Sequence, residues 1–375
     1  MKYYVISGEA SGDLHGSNLV KEIVKGDRNA HIRAWGGDLM QEAGAEIIKH
    51  YKDLAFMGFA EVVSNLRTIM GNLKFCKEDI VEFDPDVVIL IDYPGFNLRI
   101  AEFAHKSGFK VFYYISPQIW AWKENRVKKI KAYVDEMYVI LPFESDFYDK
   151  HNVDTHFVGH PLIDAVQQRL ETNDKSEDLK QLIDSDQPLV VLMPGSRKQE
   201  ISAMLPLMLK LIPNYPEFQF VVAGAPGQDK DFYDSFIANT GVKLISGYTY
   251  DLLSMAKAAI VTSGTATLET ALFRVPQVVC YKGGMISYHI AKNLVKVDYI
   301  SLVNLIMDRE VVKELIQNEF TETNLRTEFE KIAKSESYRK KMLEDYQELY
   351  AKLGGGGASA KTAELMLKSL GEVKN

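Results

Sequence analysis

Short apolar runs alternate along this chain with longer stretches whose apolar residues recur every three or four positions. The runs read as buried parallel strands and the periodic stretches as amphipathic helices, which is an α/β pattern. Strands are predicted at residues 3–6, 32–35, 87–91, 111–115, 137–141 and 155–158, then at 189–193, 220–223, 243–245, 259–261 and 278–281. Helices are predicted at 14–24, 61–83, 100–107, 201–211 and 359–370. The rhythm breaks after Gly159-His-Pro-Leu162, and the polar segment 167–186 offers almost no core. Two Rossmann-like domains follow, residues 1–162 and 163–350. Residues 351–375 hold a glycine break at 354–357 and a last helix. Its apolar face of Ala363, Met366, Leu367 and Leu370 predicts docking on another part of the fold.

A chain of 375 residues is long for one core, in keeping with two domains. Its 46% hydrophobic and 25% charged residues are those of a globular protein. The net charge of −7 argues against a nucleic-acid-binding surface. Two cysteines, Cys76 and Cys280, make no disulfide framework and point to a reducing, cytoplasmic setting. Met1 runs directly into the first strand, so no signal peptide is expected, and no apolar run is long enough to span a bilayer. The expectation is a protein in solution or lying on a membrane surface.

Candidate chemistry gathers where strands end. The run 189–193 stops at Pro194 and Gly195, Ser196 stands where an N-cap is wanted, and a helix follows. Such a turn makes an anion site, because free N–H groups point outward and the helix dipole favours negative charge. Arg197 adds a cation whose fork suits phosphate oxygens. Gly195, Ser196 and Arg197 therefore read as a diphosphate cradle, or else as a capped turn with a solvated arginine. Ser263, Gly264 and Thr265 repeat the arrangement after residues 259–261, so two turns can grip one diphosphate. Glu269, one turn further, would accept hydrogen bonds from ribose hydroxyls, or only satisfy the helix dipole.

In the first half, Asp92 ends the strand 87–91 at the carboxyl edge, where open α/β sheets bind ligands. A carboxylate there can take a proton from a substrate hydroxyl; a turn aspartate is the structural alternative. Glu9, Ser11 and Asp13 lie in a glycine- and serine-rich turn whose spacing is not that of a dinucleotide site and whose acids would repel a diphosphate. That turn is assigned to an acceptor pocket. Trp120 and Trp122, with Lys123 and Arg126 behind them, suit a sugar face and an anionic group, or packing against the neighbouring domain. Phe59, Val63, Leu66, Met70 and Leu73 share one helical face, widened by Val62 and Ile69 and flanked by Arg67, Lys74 and Lys77. Such a stripe is ordinarily core, but apolar surface beside positive charge also suits a membrane interface. Metal chemistry is poorly supported: Gly159 and Pro161 deny His156 and His160 a shared helical face, and no Cys/His cluster is visible. No G-x-S-x-G elbow marks a serine nucleophile.

Gly8-Glu-Ala-Ser-Gly-Asp13, Ile91-Asp-Tyr-Pro-Gly-Phe-Asn97, Ser116-Pro-Gln-Ile-Trp-Ala-Trp122, Leu141-Pro-Phe-Glu144, Phe157-Val-Gly-His160, Pro194-Gly-Ser-Arg197, Ser263-Gly-Thr-Ala266 and Tyr299-Ile-Ser-Leu-Val-Asn304 span nearly the whole chain. In this order they resemble the lipid-A-disaccharide synthase family. The sequence departs from that pattern at Gly95, where an acid is common, and at Pro161 after His160. The resemblance implies a GT-B glycosyltransferase: two Rossmann-like domains facing a cleft, with the C-terminal helix crossing back to the first domain. The implied reaction moves 2,3-diacylglucosamine from UDP-2,3-diacylglucosamine to the 6-hydroxyl of 2,3-diacylglucosamine 1-phosphate, with inversion. The products are the β-1,6-linked disaccharide 1-phosphate and UDP.

On that reading Asp92 and Arg197 are catalytic. Gly195, Ser196, Arg197, Ser263, Gly264, Thr265, Glu269 and Asn304 bind the donor. Glu9, Ser11, Asp13, Trp120, Trp122, Phe59, Val63, Leu66, Met70 and Leu73 bind the acceptor and acyl chains. No metal or other cofactor is expected, and Arg197 with the helix N-termini would neutralise the diphosphate in a metal's place. The implied partners are the two lipid substrates and the cytoplasmic face of the inner membrane, held peripherally. A homodimer is left open. Two other readings are another UDP-sugar enzyme of the same fold, such as an N-acetylglucosaminyltransferase or a UDP-N-acetylglucosamine 2-epimerase, and a non-catalytic nucleotide-sugar sensor. A sensor needs Arg197 and Glu269 but no base.

Overall fold

The computed structural model describes residues 1–54, 66–121, 123–171, 179, 183, 186–238, 240–283 and 298–371. They form two units, Met1–Ala165 with Leu353–Asn375, and Val166–Lys352. In the first unit β1 (Lys2–Ile6), β2 (His31–Gly36), β3 (Glu46–His50), β4 (Val87–Ile91), β5 (Lys110–Tyr114), β6 (Glu136–Val139) and β7 (His156–Phe157) build one sheet. Its order is β3-β2-β1-β4-β5-β6-β7. All pairs are parallel, with Tyr3 opposite Val87 where β1 meets β4. The chain builds outward from β1 in one direction, then returns to β4 and builds in the other. The β1–β4 boundary is thus a topological switch point, the place where such sheets bind ligands.

The second unit repeats the plan with β8 (Leu189–Met193), β9 (Gln219–Gly224), β10 (Lys243–Ser246), β11 (Ala256–Thr262), β12 (Gln277–Tyr281) and β13 (Lys313–Ile316). Here the order is β10-β9-β8-β11-β12-β13, all parallel, and the switch point falls between β8 and β11. Every residue of β4 (Val-Val-Ile-Leu-Ile) and of β8 (Leu-Val-Val-Leu-Met) is buried, as a parallel strand covered on both faces requires. Tyr4, Trp35, Leu90 and Tyr113 lie in the first core, and Val191, Val221, Leu252 and Val261 in the second.

Three expectations need correction. β3 (Glu-Ile-Ile-Lys-His) and β13 (Lys-Glu-Leu-Ile) were not predicted; both are edge strands, paired on one side, with charges where central strands are apolar. The segment 167–186 does carry core, since Leu179 is fully buried with Val166 and Leu189. The first helix starts at Ala10 instead of residue 14, so the serine-rich turn forms its first turn.

The last helix, Ala358–Ser369, packs on the first helix, Ala10–Gly26, in the first unit. Asp164 caps it, accepting from the N–H groups of Gly357 (2.6 Å) and Ser359 (3.0 Å). Leu353 C=O accepts from His160 N–H at 3.0 Å, and Gly159 and Gly354 let the two backbones pass closely.

The helix Leu66–Phe83 divides the apolar stripe. Leu73 is buried with Cys76 and Ile80 in the core, Ile69 is half-buried against it, and Met70 points outward, 57% exposed. Leu73 therefore belongs to packing, not to an acyl-binding surface. Phe59, Val62, Val63 and the side chain of Leu66 lie outside the described residues. Leu73→Ala should cost about 2–5 kcal/mol of stability in urea unfolding. Met70→Ala should stay within about 0.5 kcal/mol; equal losses would mean that both residues are core.

Candidate active site

At the first switch point the chain leaves β4 through two consecutive left-handed residues, Asp92 (φ +45°) and Tyr93 (φ +50°). Neither is glycine, so this backbone is held by its surroundings. The Asp92 carbonyl accepts from the Tyr113 hydroxyl (2.6 Å) and from Asn97 Nδ2 (2.7 Å). The residue is partly buried, and burial of its carboxyl together with the nearby Glu9 pushes the pKa up to about 7. An acid so placed exchanges protons near neutrality.

The turn after β1 lies beside it in the sheet. Gly8 admits the Tyr93 ring, which a Cβ there would meet at 2.5 Å. Glu9 is the half-buried N-cap of the first helix, which no side chain caps, and Ser11 is exposed. Asp13 differs from expectation. It is buried, and its carboxylate accepts from the N–H groups of Gly37 (2.7 Å), Leu39 (3.2 Å) and Met40 (3.2 Å), capping the helix Asp38–Glu42. Three donors leave it little capacity for an acceptor sugar, so its part is structural.

Trp120 is half-buried, sits edge-on against Phe143 at 4.8 Å, and donates its indole N–H inward to Glu144 at 3.3 Å. Glu144 itself is buried, also accepts from the N–H groups of Ile140 and Leu141, and is pushed up to about 7 by burial. The polar edge of Trp120 therefore serves the fold. Trp122 lies outside the described residues.

At the second switch point two strand ends lie side by side, with Met193 of β8 opposite Val261 of β11. The turn after β8 is not the open cradle expected. The N-cap of the helix Lys198–Leu209 is Arg197 rather than Ser196. Glu200 Oε2 accepts from the N–H groups of Ser196 (3.1 Å) and Arg197 (3.3 Å) in a capping box. Gly195 (φ +111°) makes the turn, and the Arg197 side chain, 64% exposed, reaches Glu200 at 3.5 Å.

The turn after β11 is the open one. Gly264 is the N-cap of the helix Thr265–Leu272, no side chain caps it, and Gly264 and Thr265 are exposed. Ser263 Oγ donates to Ile300 C=O at 2.8 Å. Glu269 is half-buried, accepts from the Tyr250 hydroxyl at 3.1 Å, and has its pKa raised by burial. Tyr250 was not predicted; it comes from the helix Thr249–Met255, and no motif spacing marks it.

Asn304 is fully buried and its amide is consumed. Nδ2 donates to Val312 C=O and Glu314, and Oδ1 accepts from the N–H groups of Val311 (2.8 Å) and Val312 (3.0 Å). With Glu314, which accepts from Ile300 and Ser301 N–H, it fixes the segment that Ser263 leans on. It supports the turn, and its side-chain amide is engaged within the chain at both atoms. Among the described residues, no group of three or more His, Cys, Asp or Glu side chains is arranged to hold a metal ion.

Two Rossmann-type parallel sheets, each with polar residues at its switch point, make up a GT-B-like fold. Solved structures of similar fold include UDP-GlcNAc 2-epimerase from Neisseria meningitidis bound to UDP-GlcNAc, with a TM-score of 0.71. That similarity spans 98% of this chain and 100% of the epimerase at 15% identity. The calicheamicin glycosyltransferase CalG4 aligns at a TM-score of 0.60 and 16% identity, over 100% of this chain and 99% of its own. At such identities the likeness is one of fold.

Sequence relatives narrow the class. Residues 3–368 match the family described as Lipid-A-disaccharide synthetase. The lipid-A-disaccharide synthase of Syntrophus aciditrophicus (strain SB) is 42% identical over 371 residues, covering 97% of this chain and 96% of that protein. Its counterpart from Coxiella burnetii (strain Dugway 5J108-111) is 37% identical over 366 residues, covering 96% of each. The chain belongs to the lipid-A-disaccharide synthase family.

Proposed function

We propose that the chain joins UDP-2,3-diacylglucosamine and 2,3-diacylglucosamine 1-phosphate into the β-1,6-linked disaccharide 1-phosphate of lipid A, releasing UDP. The observation that carries the reading is the family match over residues 3–368, and Asp92, at the switch point of the first unit with its pKa pushed up to about 7 by burial, is the base the reaction needs. In the proposed reaction the acceptor 6-hydroxyl attacks the donor's anomeric carbon and Asp92 takes its proton. The bond to the UDP oxygen breaks, and UDP leaves with the electron pair. Attack opposite the leaving group inverts the anomeric configuration from α to β.

The second unit is assigned the donor. The uncapped N-terminus of Thr265–Leu272 and the Arg197 guanidinium face growing charge on the diphosphate, with Gly195 and Ser196 forming the neighbouring turn. Glu269, oriented by Tyr250, accepts from the ribose hydroxyls; Asn304 and Ser263 hold the turn in shape. Glu269→Ala is expected to weaken UDP binding about 10–100-fold in calorimetry, the loss of a charge-assisted hydrogen bond. Unchanged affinity would remove Glu269 from the donor site.

Glu9 and Ser11 are assigned to the acceptor. The identities of 37–42% over almost the full length favour this activity over an epimerase of the same fold. Incubation of the protein with both lipid substrates, followed by mass spectrometry, tests the assignment. A disaccharide 1-phosphate should accumulate with UDP in equal amount; substrates left unchanged, or UDP released without disaccharide, would contradict it.

No helix among the described residues is long and apolar enough to cross a membrane. We assign the protein to the cytoplasmic face of the inner membrane, held peripherally by the helix Leu66–Phe83. Met70 and Val81, both more than half exposed, lie about three turns apart on one face with Arg67 and Lys74 beside them. Met70→Ser with Val81→Ser should reduce binding to anionic vesicles and leave the Tm within a few degrees. Undiminished binding would place the membrane contact elsewhere. A homodimer has no part in this reading.

A further inference from the structure

We infer that Asn97 and Tyr113 are positioning residues, which hold the Asp92 carboxyl in its working orientation by gripping the peptide that follows it. The inference rests on the reading of Asp92 as the base. Two successive non-glycine residues in the left-handed region are costly and persist only where neighbours over-determine them. The neighbours here are specific. Asn97 is fully buried, and its Nδ2 lies 2.7 Å from Asp92 C=O, 3.2 Å from Ile91 C=O and 3.5 Å from Ile6 C=O. One side-chain amide thus ties together the ends of β1 and β4, the two strands at the switch point.

Tyr113, buried on the adjacent β5, donates to the same Asp92 carbonyl at 2.6 Å. Asp92 N–H is engaged as well, donating to Tyr114 C=O at 3.2 Å. With both sides of the residue fixed, the Cα–Cβ direction is fixed, and the carboxyl can leave its place only by side-chain rotation. Tyr93, the second left-handed residue, is pinned in turn. Its carbonyl accepts from the N–H groups of Phe96 and Asn97, its ring stacks on Phe96 at 5.6 Å, and Gly8 leaves room for that ring. Neither Asn97 nor Tyr113 needs to touch a sugar. The Tyr113 hydroxyl is spent on a backbone carbonyl, and desolvation holds its proton far more tightly than that of a free phenol, so it is no rival base.

The test compares Tyr113→Phe, Asn97→Ala and Asp92→Asn, singly and in pairs, in single-turnover transfer assays with circular dichroism as a control. Tyr113→Phe removes one oxygen and keeps the core filled, so it reports even if Asn97→Ala fails to fold. Displacement of a reacting group by about 1 Å costs on the order of 10² in rate. We expect the single-turnover rate constant to fall about tenfold in Tyr113→Phe and about 10² in Asn97→Ala, with half-saturation changed less than about threefold. A freed carboxyl gains water, so the acid limb of the rate profile should move below its midpoint near 7; Glu9 and the Tyr113 phenol are the titratable groups coupled to it. In the Asp92→Asn background, neither change should slow transfer further, because there is no base left to position.

The outcomes separate the two claims. Normal transfer in Asp92→Asn would overturn the base and this inference together. A slow Asp92→Asn beside fast Tyr113→Phe and Asn97→Ala would overturn this inference alone. Equal slowing in both backgrounds would make the two residues merely structural.

Discussion

Asp92→Asn is expected to lower transfer by at least about 10² while UDP affinity stays at the parent value. Attack by an alcohol on the anomeric carbon needs its proton removed as the bond forms, and an amide cannot accept it. The substitution keeps shape and volume, and the donor-binding residues assigned here lie in the other unit, so binding should survive. Stability should survive too. The folded-state pKa of Asp92, about 7, lies above the ordinary 3.8, so the folded chain holds that proton more tightly than the unfolded chain. Stability therefore falls as pH rises between those values, and the full cost of the buried charge is present above about 7. Asparagine never bears that charge, so the variant should unfold no more readily than the parent at pH 8. Joint loss of binding and transfer would make Asp92 structural, with Glu9 and His15 the next candidates. His15 is the weaker of the two, since burial lowers its pKa to about 4.

Arg197→Ala should fold normally and lose about 10²–10³ in the rate of UDP release, roughly 3–4 kcal/mol of charge stabilisation. The side chain is mostly exposed and its pairing with Glu200 is long, so removing it takes away little packing. The cap of the following helix stays in place, because Glu200 accepts from backbone N–H groups that alanine keeps. Near-normal turnover in the folded variant would leave the diphosphate to the N-terminus of Thr265–Leu272 alone.

The sheets were legible because parallel strands buried on both faces must be written as apolar runs. The runs at 87–91 and 189–193 match β4 and β8 residue for residue. Edge strands obey no such rule, and β3 and β13, with Glu46, Lys49, Lys313 and Glu314 among few apolar residues, escaped. The carboxyl edge was legible for the same reason as the strands: whatever polar residue follows a run must sit there, as Asp92 and Ser263 do. Sequence could not show where polar side chains spend their hydrogen bonds. Asp13, Asn304 and Glu200 have the same chemistry as ligand-binding residues, yet each is committed to backbone groups that the fold brings to it. Tyr250 and Tyr113 were hidden for the converse reason, since each meets its partner through tertiary packing.

The pH dependence of transfer under single-turnover conditions tests Asp92 as the base most directly. With a pKa of about 7 the carboxylate is half-formed at neutrality. The rate should be level above about pH 8 and fall about tenfold per unit below pH 6. In Asp92→Asn the residual rate should lose that limb. A wild-type rate that stays flat from pH 5 to 8, or a limb that persists unchanged in the variant, would contradict the account.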